Sequence, residues 1–244
     1  MALFTIITIN LNNREGLERT IKSVMTQSFK DVEYIVVDGQ STDGSLDVIS
    51  NFREGIHQLI VEKDNGVYDA MNKGLRHATG QYIQFLNSGD ELKGTNALQI
   101  ISEKIPHSEI LYTDVELFGG ERESVKVHPD KLSLRYQLTD MVCHQAIFAS
   151  SELFKKTGPF DASYKIYGDY DWLMRALRKH NARAIHLPLA LVRYEEVGLS
   201  NTANKSLQLK EKDSIHDHYF PKWIIKVYRW YRARNEQKSL LSQN

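Results

Sequence analysis

A single cysteine, Cys143, stands in 244 residues, which excludes an internal disulfide framework and a multi-cysteine zinc site and fits a reducing compartment. Net charge is also missing. The 31 basic and 31 acidic residues cancel, so no whole-chain field points to nucleic acid or to an acidic partner. No stretch approaches the roughly 18 uninterrupted apolar residues of a membrane-spanning helix, so any membrane contact is expected from the side. The opening MALFTIITINLNN lacks a basic segment followed by a long apolar run and a cleavage site, and a cytoplasmic location is the expectation. P-loop, strand-adjacent GxGxxG, HExxH and GxSxG sequences are absent. That removes the common signatures of ATP hydrolysis, dinucleotide binding, zinc proteolysis and serine hydrolysis.

What is present is a hydrophobic fraction of 41%, enough for a substantial core in one large α/β domain or two small ones. Leu3 to Ile9 is a short apolar run that passes into helical spacing through Leu17, Ile21 and Val24. The pattern recurs at 32–39 with a helix near Ser45 to Arg53, again at 58–66 followed by YDAMNKGLRHATG, and a fourth run at 81–87 stops at Ser-Gly-Asp. Strands alternating with helices predict right-handed crossovers and a mainly parallel sheet, with ligands beyond the carboxyl ends of the strands. Asn10, Asn12, Asp38, Asp64, Asn65, Asn87 and Asp90 gather on that edge. The second half reads as strands at 110–119, 142–150 and 182–194 with a helix at 169–180. No repeat or low-complexity linker appears. The expected organisation is a catalytic domain over 1–205 and a helical extension over 206–244.

Each polar residue on this edge carries two readings. Asp38 can accept hydrogen bonds from a nucleobase or ribose, or, with its following glycine, make a turn or cap a helix. LNSGD (86–90) can present a carboxylate to a hard cation bridging a diphosphate, or form a turn. Asp169 can cap the helix it begins, or act as a general base aimed into a cleft. His144, beside Gln145 in an apolar stretch, is either a hydrogen-bonded core residue or part of a site. The segment 218–234 interleaves Tyr, Phe and Trp with Lys and Arg; it suits an anionic membrane surface or a terminal helix docked on the domain.

Taken together, FTIITINLNN, LERTIKSVMTQSFKDVEYIVVDGQSTDGS, EKDNGVYDAMNKGLRHATGQYIQFLNSGD and YGDYDWLMR resemble the family 2 glycosyltransferases over roughly residues 3 to 200, and most of all the small bacterial enzymes that build exopolysaccharide, capsule or O-antigen. The resemblance implies a GT-A fold, a mixed and mainly parallel sheet flanked by helices, with a C-terminal helical appendage. It also implies a metal-dependent hexosyl- or N-acetylhexosaminyl-transferase that uses Mg²⁺ or Mn²⁺. The donor would be a nucleoside-diphosphate sugar, UDP by analogy, and the acceptor a hydroxyl of a glycan or polyprenyl-linked glycan, reached by an inverting displacement.

By position, the resemblance gives Thr8, Asn10, Asp38, Asp69, Lys73 and Asn87 to the nucleotide-sugar, Asp90 to the metal and Asp169 to the base. His144, Gln145, Gly198 and Ser200 fall on the acceptor side, the last two in the loop EEVGLSN (195–201). Gly89 stands where many members carry another aspartate and Leu11 where a tyrosine often packs on the base, which points to weaker metal binding and base stacking. Two other classes remain open: a nucleotide-sugar binding scaffold without turnover, and a nucleotidyltransferase, although no glycine-rich phosphate loop at the N-terminus supports the latter.

Overall fold

The computed structural model describes residues 1–105, 108–120, 122–196 and 204–241. Nine strands form one sheet: β1 (Phe4–Asn10), β2 (Val32–Asp38), β3 (Gln58–Val61), β4 (Tyr82–Phe85), β5 (Glu91–Leu92), β6 (Ile110–Phe118), β7 (Ser124–Lys126), β8 (Ile147–Ser150) and β9 (Ala184–Glu195). Their order is β3-β2-β1-β4-β8-β6-β9-β5, with β7 beside β6. Strands β1 to β4 pair in parallel, β8 runs antiparallel to both β4 and β6, and β6 pairs in parallel with β9. The expected mixed, mainly parallel α/β architecture is present.

Strand β1 is buried at every position because helices cover both faces of the sheet. Ile7 and Ile9 meet Tyr68 and Met71 of α3 (Val67–Leu75) in one core. Phe4 and Ile6 point the other way, to Leu17 and Ile21 of α1 (Arg14–Met25). Helix α1 starts where Asn13 accepts the Gly16 amide, and its Leu17, Ile21 and Val24 fall on the buried face, as the spacing predicts. The remaining helices are α2 (Ser45–Asn51), α4 (Ala97–Ser102), α5 (Leu134–Thr139), α6 (Ser151–Thr157), α7 (Gly168–Met174), α8 (Lys205–Tyr219) and α9 (Lys222–Leu241).

Three expected elements differ. The run 142–150 is a strand only from Ile147. Residues His144–Ala146 form a 3₁₀ turn, and the Gln145 carbonyl takes its hydrogen bond from the Gln84 side chain at 2.6 Å instead of from a ladder. The helix at 169–180 widens after Met174 into a π turn, Arg175–Lys179. Strand β9 is twelve residues long but bulged: its register against β6 jumps from Leu187 to Ala190, and Pro188, which has no N–H to give the ladder, lies within the jump.

The C-terminal helices pack on the sheet domain: Ile215 of α8, Phe220 just after it and Ile225 of α9 belong to the same core as β1 and α3. Among the described residues no helix is long and apolar enough to cross a membrane.

Candidate active site at the carboxyl edge of the sheet

Register brings the first polar pair together, because Asn10 and Asp38 end neighbouring parallel strands as direct partners. Asn10 Nδ2 donates to Asp38 Oδ2 at 2.8 Å, and Ser41 donates to the same carboxylate through its hydroxyl at 2.8 Å and its amide at 2.7 Å. Asp38 is fully buried. With three internal donors it organises the 38–41 turn, so the turn-forming alternative describes its contacts here. Thr8 is equally buried: it donates to the Leu86 carbonyl at 2.8 Å and accepts from the Tyr34 hydroxyl at 3.0 Å. It supports the 86–90 loop through Leu86.

On α3, Asp69 accepts the Asn65 amide at 2.9 Å and thereby closes the helix start. Lys73 points inward to the Lys63 carbonyl at 2.6 Å and to Asp64 at 2.8 Å, with Asp69 and Glu62 each 3.7 Å away. Its hydrogen bond to Asp64 and three surrounding carboxylates outweigh burial and push its pKa up. Lys73 is thus the centre of an internal ion cluster. Asp64, whose side chain lies against Gly39 beside Leu11, occupies the open edge instead; sequence reasoning placed it on that edge without giving it a role. Leu11 is 59% exposed there.

The 86–90 loop is fixed on all sides. Ser88 N donates to Ile9 O at 3.1 Å, Asp90 N to Asn87 O at 3.0 Å, and Thr20 Oγ1 donates to Asp90 O at 2.7 Å while accepting from Gly89 N at 3.0 Å. Gly89 has φ of +107°, a conformation side chains rarely adopt. The Asp90 carboxyl is buried, accepts the Glu195 amide at 3.1 Å and is reached by the Gln145 side chain. Burial pushes its pKa up to about 7, against the lowering from the Glu195 amide, His144 and Gln145. Gln145, expected on the acceptor side, thus sits under Asp90.

Asp169 is the second residue of α7 and does not occupy its cap position, which is Tyr167. Its Oδ1 accepts from the Tyr68 hydroxyl at 3.0 Å and the Tyr170 amide at 2.8 Å. Its Oδ2 meets His144 Nδ1 at 3.0 Å. His144 Nε2 lies 3.1 Å from Asn87 Nδ2. With the Asn87 amide donating, Nε2 accepts and Nδ1 carries the proton that points at Asp169. Asn87, three residues before Asp90, is therefore joined to Asp169 through one imidazole.

Asp38, Asn10, Asn87, Asp90, His144 and Asp169 are brought to one edge, Lys73 and Asp69 belong to the ion cluster with Asp64, and Thr8 is bound to Leu86; Gly198 and Ser200 lie outside the described residues. Tyr68, Tyr194 and Glu195 were missed. Tyr194 is half-buried, and burial with Asp90, Cys143 and Asp169 nearby raises its phenol to about 12. Only its place at the end of a strand could have signalled it. A separate cavity of about 180 Å³, lined by Thr139, Asp140, Met141, Tyr167, Tyr170 and Lys212, opens beside the residues flanking Asp169.

The carboxylates of Asp90 and Asp169 thus lie at the carboxyl edge of a mixed, mainly parallel sheet, the edge at which α/β proteins bind their ligands. The family model described as glycosyl transferase family 2 matches residues 5–150, and the chain belongs to that family. An uncharacterised glycosyltransferase of Mycobacterium tuberculosis is 37% identical over 180 residues, which span 70% of this chain and 68% of its own. A PGL/p-HBAD biosynthesis glycosyltransferase of Mycobacterium bovis is 32% identical over 214 residues, 82% of this chain and 80% of its own. In fold, S. aureus TarS 1–349 in complex with UDP-GlcNAc superposes with a TM-score of 0.71 at 21% identity, covering 84% of this chain and 61% of that one. The protein is a glycosyltransferase with a GT-A-like fold.

Proposed function

We propose that this chain is an inverting transferase that moves a hexosyl or N-acetylhexosaminyl group from a UDP-sugar to a hydroxyl of a glycan or lipid-linked glycan in bacterial surface polysaccharide synthesis, at the cytoplasmic face of the membrane. The supporting observation is the hydrogen-bonded chain Asn87–His144–Asp169, which ties the loop carrying Asp90 to a carboxylate with one oxygen left lightly used.

Asp169 Oδ1 accepts the Tyr170 amide and lies 3.0 Å from a Tyr68 hydroxyl whose nearer acceptor is the Ile166 carbonyl at 2.6 Å, whereas Oδ2 takes only His144 and keeps a lone pair for an acceptor hydroxyl. Oδ2 removes the acceptor proton as that oxygen attacks the anomeric carbon, and His144 holds the carboxylate's orientation during the attack. An aspartate is a weak base, so proton transfer is late and coupled to formation of the carbon–oxygen bond.

Asp90 fits a divalent cation: a carboxyl whose charge burial penalises is relieved by a positive partner, and Mg²⁺ or Mn²⁺ needs few protein ligands when a diphosphate supplies others. Such an ion supplies positive charge to the departing diphosphate. The nucleotide base is placed along Leu11, Gly39 and Asp64, backed by the Asn10–Asp38 pair. The acceptor approaches past the cavity at Tyr167 and Tyr170.

Helix α9 supports membrane contact. One face docks through Ile225 and Tyr228, while Trp223, Val227, Trp230 and Arg234 form a second stripe, with Trp223 71% and Trp230 60% exposed. Exposed Lys222 and Lys226 lie among them, a composition matched to an anionic lipid surface.

The test is a panel of UDP-, GDP- and dTDP-sugars scored for thermal stabilisation with and without Mn²⁺, followed by nucleotide release with a polyprenyl-linked acceptor. Metal-dependent stabilisation and release with UDP-sugars are expected; neither with any donor removes the proposal.

A further inference from the structure

Asp90 is the sole carboxylate of its loop, since the preceding position is a glycine. The space in front of that glycine is nevertheless filled. A Cβ built on Gly89 would overlap Glu195 Oε2, with Asn13 Nδ2 next at 3.4 Å. Glu195 is the last residue of β9, and two independent contacts bring it here. Strand β5 pairs Glu91 with Arg193, which carries the end of β9 alongside the 86–90 loop. The Glu195 amide then donates to Asp90 Oδ1 at 3.1 Å. The two oxygens of its carboxylate are used differently: Oε1 is held by Arg19 at 2.6 Å, and Oε2 is the one turned to Gly89.

Glu195 sits beside the buried Asp90, and its side chain is only 27% exposed. Arg19 offsets one negative charge but reaches only the far oxygen, and its other carboxylate contact is Glu91 at 3.6 Å. Two neighbouring carboxylates, one of them buried with only neutral donors at hydrogen-bond distance, form the arrangement that a divalent ion with a diphosphate on its open side would relieve.

We propose that Glu195 supplies the second carboxylate of the divalent-metal site, its Oε2 occupying over Gly89 the place that an aspartate side chain at position 89 would take. The inference rests on the reading of Asp90 as the first. It makes the site a joint product of two distant segments, the loop after β4 and the end of β9. It also removes the expected weakness of the Gly89 departure, because the missing carboxylate arrives from residue 195.

The experiment is Mn²⁺ binding to the full chain in the presence of UDP, read by electron paramagnetic resonance of the free ion, with the melting temperature of each metal-free variant as a fold check. Glu195→Gln is expected to weaken Mn²⁺ binding at least ten-fold. Arg19→Met breaks the same ion pair but leaves Oε2 in place, and is expected to stay within about three-fold of the parent. Equal loss in both variants traces the effect to the ion pair and overturns the proposal, as does parental affinity in Glu195→Gln. Asp90→Asn separates the two claims. If it abolishes Mn²⁺ binding while Glu195→Gln does not, the metal reading stands and the Glu195 role falls; if the parent binds no Mn²⁺ with UDP, both fall.

Discussion

His144 Nδ1 lies 3.0 Å from Asp169 Oδ2, while the opposite nitrogen of the same ring faces Asn87 at 3.1 Å. One imidazole thus spans the gap between the loop after β4 and the start of α7. His144→Ala is expected to lower kcat by about 10–100-fold with little change in the KM for donor, because the lost contact orients the base rather than the nucleotide. His144→Asn, whose amide can still donate toward Asp169, should recover part of that loss. A donor KM that rises in step with the fall in kcat would place His144 on the donor instead.

Asp38 separates two roles by stability. Its carboxylate takes three internal hydrogen bonds in a fully buried position, so Asp38→Ala removes the acceptor of the Ser41 amide and hydroxyl and leaves Asn10 only its longer bond to Ser41. Unfolding in urea without any nucleotide should show a loss of about 2–4 kcal/mol. An unchanged midpoint would mean that Asp38 serves only the ligand.

Stability should fall on mild acidification because of His216. The ring is fully buried against Tyr170, Phe220 and Tyr228, and burial, with Lys212 next, pushes its pKa down to about 4. The folded state therefore resists a proton that the unfolded chain takes up near pH 6.5. The contribution is complete above that pH and is lost progressively as pH falls toward 4. The change in urea stability from pH 7.5 to 5.0 should be about 1–2 kcal/mol less favourable in the parent than in His216→Gln, because the raised Asp90 carboxyl, which takes up its proton first in the folded state, opposes the trend equally in both proteins. A slope unchanged in the variant would assign it to other groups.

Membrane contact is best tested without truncation, since removal of everything after His218 would also take Phe220 and Ile225 out of the core. Trp223→Ser with Trp230→Ser leaves the docked face of α9 intact. Co-sedimentation with vesicles of phosphatidylcholine and phosphatidylglycerol should fall at least five-fold in the double variant, and salt should weaken binding of the parent. Equal binding by both proteins would leave the stripe without a lipid role.

The first half of the fold was legible because its signals are local. Strands such as Phe4–Asn10 are apolar at consecutive positions, and α1 repeats its buried residues at Leu17, Ile21 and Val24. Asp90 and Asp169 were legible as candidates because each ends or opens an element at the same edge. The contacts that decide roles were not, because they are long-range: Lys73 meets Asp64 inside an ion cluster, Thr8 turns to Leu86, and His144 reaches Asp169. Periodicity reports which way a side chain faces, not which of several polar neighbours it meets. The bulge at Pro188 shifts the register of β9, and that register sets where Tyr194 and Glu195 end up. The chain shows no motif at Tyr194, and Glu195 stood only as the first residue of the loop EEVGLSN. The docked face of α9 was likewise hidden, since an interleaved aromatic and basic helix fits docking and lipid equally until its buried face is known.

The most direct test of the catalytic assignment pairs two readings on Asp169→Asn: calorimetric titration with UDP and Mn²⁺, and nucleotide release from the UDP-sugar that stabilises the parent. The expected result is UDP affinity within about three-fold of the parent together with release reduced at least 1,000-fold, since the variant keeps the fold and the Asp90 loop but loses the proton acceptor. Substantial turnover by Asp169→Asn would contradict the assignment of the base.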